Sequence, residues 1–249
     1  MTDSLSYFLL FIAGIASGFI NVNAGGGSSI TLPVLIFLGL DASVANGTNR
    51  VAIIVQNASA VYAFKKENFQ QFPTSIKLSL FTLPGAIIGA LISVRISNEL
   101  FETILGVVMI GIIITMVVPT KKKIFEENTS GKEGWVLYTA MFGIGFYGGF
   151  IQVGVGFILM AALHYIMRLN LIYVNMHKVF IVFIYTLPTL LIFIFTDNVN
   201  WFMGLILAFG NALGAWWGAK MSIKKGDKFI KIVLIISVGI MAIKLLGVF

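Results

Sequence analysis

Gly18-Phe19-Ile20-Asn21-Val22, near the start of the chain, reads almost like Gly149-Phe150-Ile151-Gln152-Val153, beyond its middle. The likeness continues on both sides of these stretches. Gly25 aligns with Gly156, Leu38 with Leu169 and Leu40 with Leu171. After a gap of three residues, Asn49-Arg50-Val51 aligns with His177-Lys178-Val179. Further on, Gly85, Gly89-Ala90 and Arg95-Ile96-Ser97 fall opposite Gly210, Gly214-Ala215 and Lys220-Met221-Ser222. A chance match would not keep so many landmarks in order. The chain reads as two copies of one unit, 1–118 and 134–249, joined by a linker at 119–133.

Each unit is built of membrane-type segments. Of the 249 residues, 58% are hydrophobic and only 11% are charged. A soluble domain carries about 25% charged residues to cover its surface, so a water-soluble globule is excluded. Ten apolar runs are legible: 5–20, 29–40, 43–64, 75–94, 100–118, 134–150, 157–168, 171–195, 201–219 and 229–246. They do not alternate polar with apolar, as barrel strands do. Helices are therefore expected: an all-α polytopic membrane protein with 8–10 transmembrane segments. Two runs, 29–40 and 157–168, would make only about 18 Å of helix, against a hydrocarbon core of about 30 Å. Each follows a glycine-rich break, which predicts two broken or re-entrant hairpins.

The basic residues set the orientation. The connections 65–77, 120–134 and 220–231 hold twelve of the 17 basic residues. The alternate connections hold Asp3, Asp41, Arg95, Glu99, Glu102, Asp197 and Lys244. Lys- and Arg-rich loops stay in the cytoplasm, which accounts for the net charge of +7 without nucleic acid. Both termini are then expected outside, in the cytoplasmic (inner) membrane. Equivalent loops of the two units fall on opposite faces, so the repeats are expected to be inverted in topology. Inverted repeats with paired, glycine-interrupted short segments mark secondary transporters with a site near the bilayer midplane.

These residues resemble the sulfite exporter TauE/SafE family of bacterial membrane proteins. The resemblance rests on Gly14-x3-Gly18 leading through Asn21 to Gly25-Gly26-Gly27, then Gly47-Thr48-Asn49-Arg50. In the second copy it rests on the run from Gly143 to Gly156 and on His177-Lys178. It covers nearly the whole chain and implies export of sulfite, sulfoacetate or a related organosulfur anion.

The candidate substrate site is read from the residues themselves. Gly25, Gly26 and Gly27 precede a short helix opening at Ser28, and Gly156 sits at the matching place in the second copy. Glycines let backbone approach a ligand, and helix N-termini attract anions. The same glycines would also serve close helix packing. Asn21, Asn23 and Gln152 are amides inside hydrocarbon and must face protein, water or substrate. Arg50 and Lys178 lie about two turns inside their helices. A charge within a membrane segment is a functional hypothesis by default. With no embedded acid to pair them, an anion is the expected partner, the other reading being snorkelling to the headgroups. Asn49 and His177 accompany them, as ligands or as structural residues.

A small anion and the lipid bilayer are thus the expected partners, with a homodimer left open, and no cofactor, metal or catalytic residue is expected. The chain has no cysteine, only two histidines, and neither H-E-x-x-H nor G-x-S-x-G. A carrier for another oxyanion or a carboxylate fits the same residues. An intramembrane enzyme, with Ser28 and His177 for instance, has no motif behind it.

Overall fold

The computed structural model describes residues 3–117 and 134–245. The expected linker at 119–133, with Lys121, Lys122, Lys123 and Lys132, lies outside the described residues. Among those residues there are nine helices and no strand: α1 (Asp3–Ala24), α2 (Ser28–Phe37), α3 (Ala42–Lys66), α4 (Phe72–Ser93), α5 (Asn98–Val117), α6 (Trp135–Phe150), α7 (Val155–Ile166), α8 (Leu171–Phe195) and α9 (Trp201–Leu245). Gly226, at φ 70° and ψ −169°, breaks α9 in two, which brings the helical segments to the ten expected.

The distribution of side chains is that of a membrane protein. Phe8, Leu80, Leu191 and Phe209 are each more than half exposed, while Asn46, Asn49, Arg50 and Gln56 are fully buried. Apolar atoms face outward because lipid surrounds them; polar groups turn inward because lipid offers them no hydrogen bonds. Among the described residues, four helical stretches are long and apolar enough to cross a membrane: Ser4–Ala24, Phe72–Ser93, Leu171–Phe195 and Trp201–Gly226. The two short helices, α2 with ten residues and α7 with twelve, cannot. α3 is long enough, at 25 residues, but it carries the amides and the arginine of the interior.

Two helix pairs are zipped together by glycine. α1 runs in the same direction as α9. A Cβ at Gly18 would lie 2.2 Å from the Asn211 carbonyl oxygen, and one at Gly214 would lie 2.0 Å from that of Ile15. α6 runs in the same direction as α4 through the corresponding residues: Gly149 against Ala86 at 1.9 Å and Gly89 against Phe146 at 2.1 Å. Absent side chains let backbones approach closely, which drives association where lipid removes the hydrophobic force. α3 lies along α9, with Ser59 Oγ donating to the Ala212 carbonyl. The exposed Lys65 and Lys66 of α3 and Lys224 and Lys225 of α9 therefore gather at one end of the bundle. Asp41 and the start of α3 lie at the other.

α8 carries two of the expected site residues, and its start is fixed by a cap. Asn170 Oδ1 accepts from the Tyr173 N–H at 3.1 Å, satisfying one of the unpaired donors of the first turn. Asn170→Ala should lower stability by about 1 kcal/mol, read as a fall in thermal midpoint in detergent, with the protein still folded.

Candidate functional site

Helix ends within a bundle leave carbonyls that need donors, and here the two buried cations supply them. The last four carbonyls of α6 are all occupied. Tyr147 O accepts from the Ile151 N–H at 3.0 Å, and Phe150 O from Asn46 Nδ2 at 2.9 Å. Gly148 O and Gly149 O accept from Arg50 Nη1 at 3.4 Å and Nη2 at 2.5 Å. At the end of α1, Lys178 Nζ donates to Asn21 O at 2.9 Å and Val22 O at 2.7 Å. Its third hydrogen goes to Asn175 Oδ1 at 2.9 Å. A helix C-terminus carries about half a negative charge, so each cation sits on the negative end of a helix from the other half of the chain. This is the electrostatic partner that the sequence did not disclose. Both side chains point inward, Arg50 fully buried and Lys178 only 3% exposed, so neither snorkels.

The turns after those helix ends bring the glycines together. Gly25 adopts φ 88°, a conformation open to glycine. It lies directly against Gly156: a Cβ on Gly156 would stand 2.4 Å from the Gly25 Cα. The α6–α7 turn is braced by Tyr147, whose hydroxyl donates to Val153 O. Gly154 caps α7 in the left-handed region. The turns consume many of their own donors. Gly27 N–H goes to Asn21 Oδ1 at 3.3 Å, Ser29 N–H to Gly26 O and Phe157 N–H to Gly154 O.

A small cavity lies beside these turns, lined by Asn21, Ser28, Asn57, Gln152, Gly156 and Lys178 on its polar side. Ile53, Val155 and Val182 complete the wall. The cavity's volume is about 10 Å³, room for roughly one water molecule. An oxyanion enters only if the lining helices move. Gln152 is held by a bond from Nε2 to Thr186 Oγ1 at 3.3 Å. Its Oε1 has no hydrogen-bond partner among the described residues, although the residue is only 1% exposed.

Of the residues expected from sequence, Asn21, Ser28, Gln152, Gly156 and Lys178 thus share this cavity. Gly25, Gly26 and Gly27 form the adjoining turn without lining it. Asn49 is one shell away, donating to Ser28 Oγ at 3.3 Å and accepting from Thr31 Oγ1 at 2.7 Å. Asn23 turns toward α9 and donates to Gly218 O at 3.4 Å. His177 faces α4, with Ser75 Oγ at 2.8 Å from Nδ1 and Gln71 Oε1 at 3.2 Å from Nε2. Arg50 stands toward the opposite face of the bundle from Lys178 and contacts Thr189 Oγ1 at 3.0 Å. Asn57 was missed by the sequence reading. Its signal was an amide in the middle of an apolar helix, the same signal that marked Asn21 and Gln152. Among the described residues, no group of three His, Cys, Asp or Glu could hold a metal ion.

A lipid-facing helical shell around a closed, cation-bearing cavity is the build of a multi-pass membrane transporter. The chain belongs to the sulfite exporter TauE/SafE family, whose model matches residues 10–245. It is similar to the probable membrane transporter protein ORF9 of Sinorhizobium, with 27% identity over 96% of this chain and 91% of the relative. It is also similar to the probable membrane transporter protein YfcA of Escherichia coli, at 26% over 99% and 91%. YunE of Bacillus subtilis, another probable membrane transporter protein, is 24% identical over 93% and 96%. No solved structure matches the chain.

Proposed function

We propose that this protein is an alternating-access carrier of the cytoplasmic membrane that exports a small anion, sulfite or an organosulfonate such as sulfoacetate. Its lysine-rich end faces the cytoplasm and both termini lie outside, and the two units are inverted copies. The observation that carries the reading is Lys178. Its ammonium borders the cavity together with Asn21, Ser28, Asn57 and Gln152, and the partners that hold it are neutral. An arriving oxyanion supplies the negative charge and takes donors from the α1 carbonyls. The recurring glycine pairs, α1 with α9 and α6 with α4, support the inverted arrangement. The family description supports the sulfur anion.

Export needs no coupling ion on energetic grounds. An inside-negative potential favours anion exit by about 2.3 kcal/mol per charge per 100 mV. The test is flux from proteoliposomes loaded with sulfite, sulfoacetate, sulfate or acetate, with and without an imposed voltage. Sulfite or sulfoacetate should leave through the purified protein, faster when the lumen is negative. Flux of acetate or sulfate alone would transfer the assignment to another anion class, and no flux of any of the four would end it.

A further inference from the structure

The two cations are used unequally. Lys178 borders the cavity, whereas Arg50 is packed solid. Its guanidinium ties three helices at once. It belongs to α3, donates to the final carbonyls of α6, and on α8 reaches Thr189 Oγ1 and the Phe193 ring, 4.6 Å from its Cζ. Asn46, one turn earlier on α3, doubles the tie through Phe150 O and Ser93 Oγ. Beside it stands Tyr185, whose hydroxyl comes so close to Gly148 that a Cβ there would lie 2.7 Å away. Arg50, Tyr185 and Phe193 are each fully buried.

This layer lies one helical turn beyond the cavity wall, toward the Asp41 end. Arg50 precedes the lining residue Ile53 on α3, and Tyr185 follows the lining residue Val182 on the oppositely directed α8. The cavity is therefore shut off from the Asp41 face by a charged, three-helix tie. Toward the lysine-rich face, Lys178 alone of the two cations holds the end of α1.

We propose that Arg50 is the latch of the gate on the Asp41 face: a positioning residue that keeps α6 against α3 and α8, and whose release opens the cavity to that side. The latch rests on the carrier reading above, but its test does not require the substrate to be known. The bonds to Gly148 O and Thr189 Oγ1 leave from Nη1 and the bond to Gly149 O from Nη2; a single ammonium cannot occupy both nitrogen positions, so Arg50→Lys weakens the tie while keeping the charge. Thr189→Val removes one strand of it and leaves the arginine in place.

The chain has no native cysteine, so a single Val182→Cys reporter in the cavity wall can be labelled with a membrane-impermeant maleimide. Asp41→Cys and Glu67→Cys, each at an exposed position, identify the two faces in sealed vesicles. With Arg50→Lys, and to a smaller degree with Thr189→Val, the reporter should react about tenfold faster from the Asp41 face, the scale of one lost charge-assisted hydrogen bond. Its rate from the Glu67 face should stay unchanged. An equal rise from both faces would mean general loosening and overturn the proposal. So would no rise in either variant, when both elute as folded protein. The expected labelling without flux of any tested anion would keep the latch and discard the substrate assignment.

Discussion

Lys178→Gln should reduce anion efflux from proteoliposomes by about 100-fold or more, the scale of one or two charge-assisted hydrogen bonds at ~1.5–3 kcal/mol each. The glutamine fills much of the same space but offers no charge to an incoming anion. It also leaves Val22 O short of a donor, while Asn21 O keeps the Gly25 N–H at 2.9 Å, so some stability goes with it, about 1–3 kcal/mol for a buried acceptor left unpaired. Lys178→Arg separates the two effects. It restores a cation at the end of α1, where the helix dipole is negative, so the thermal midpoint should recover more than the flux. Compact, monodisperse Lys178→Gln protein with normal efflux would remove Lys178 from the site.

Gly156→Ala should prevent accumulation of folded carrier. The added Cβ would stand 2.4 Å from the Gly25 Cα and 2.5 Å from its carbonyl oxygen. Both are backbone atoms, so no side chain can swing aside. Overpacking a well-filled interior costs about 1–3 kcal/mol even where neighbours yield, and here they do not. Gly143, on the same helix hairpin, is the control. A Cβ there meets nothing within 4 Å, so Gly143→Ala should leave yield and midpoint unchanged or slightly raised, since alanine favours helix. Equal yields from the two variants, measured by fluorescence-detected size exclusion, would contradict the close crossing of the two turns.

Much of this architecture could be read before any coordinates. Long apolar runs announce helices because lipid forces every backbone group to bond within its own segment. The two short helices were legible because glycines bound them on one side and their runs are too brief to span. Their ends moved by a few residues: the run expected from 29 to 40 is helical over Ser28–Phe37, and the one from 157 to 168 over Val155–Ile166. The amides Asn21 and Gln152 stood out because hydrocarbon gives them no partner, and both border the cavity. The partners of Arg50 and Lys178 were not legible. A main-chain carbonyl has no letter in the sequence, and a helix end becomes an acceptor only when the fold brings a distant helix to it, as with Lys178 and Val22, 156 residues apart. For the same reason His177, adjacent to Lys178 in the chain, could not be sent to Ser75 and Gln71. Neighbours on a helix point 100° apart, and only packing decides what each one meets.

The engagement of Lys178 with the α1 carbonyls has a consequence for the idle protein. A bare ammonium in a membrane cavity would attract chloride, and an exporter that carried it would run down the membrane voltage. Here all three hydrogens of that ammonium are already in use. On the proposed export reading, an ion with several oxygens can replace two carbonyls together and a single-atom ion cannot, so the backbone at the end of α1 would itself oppose leakage.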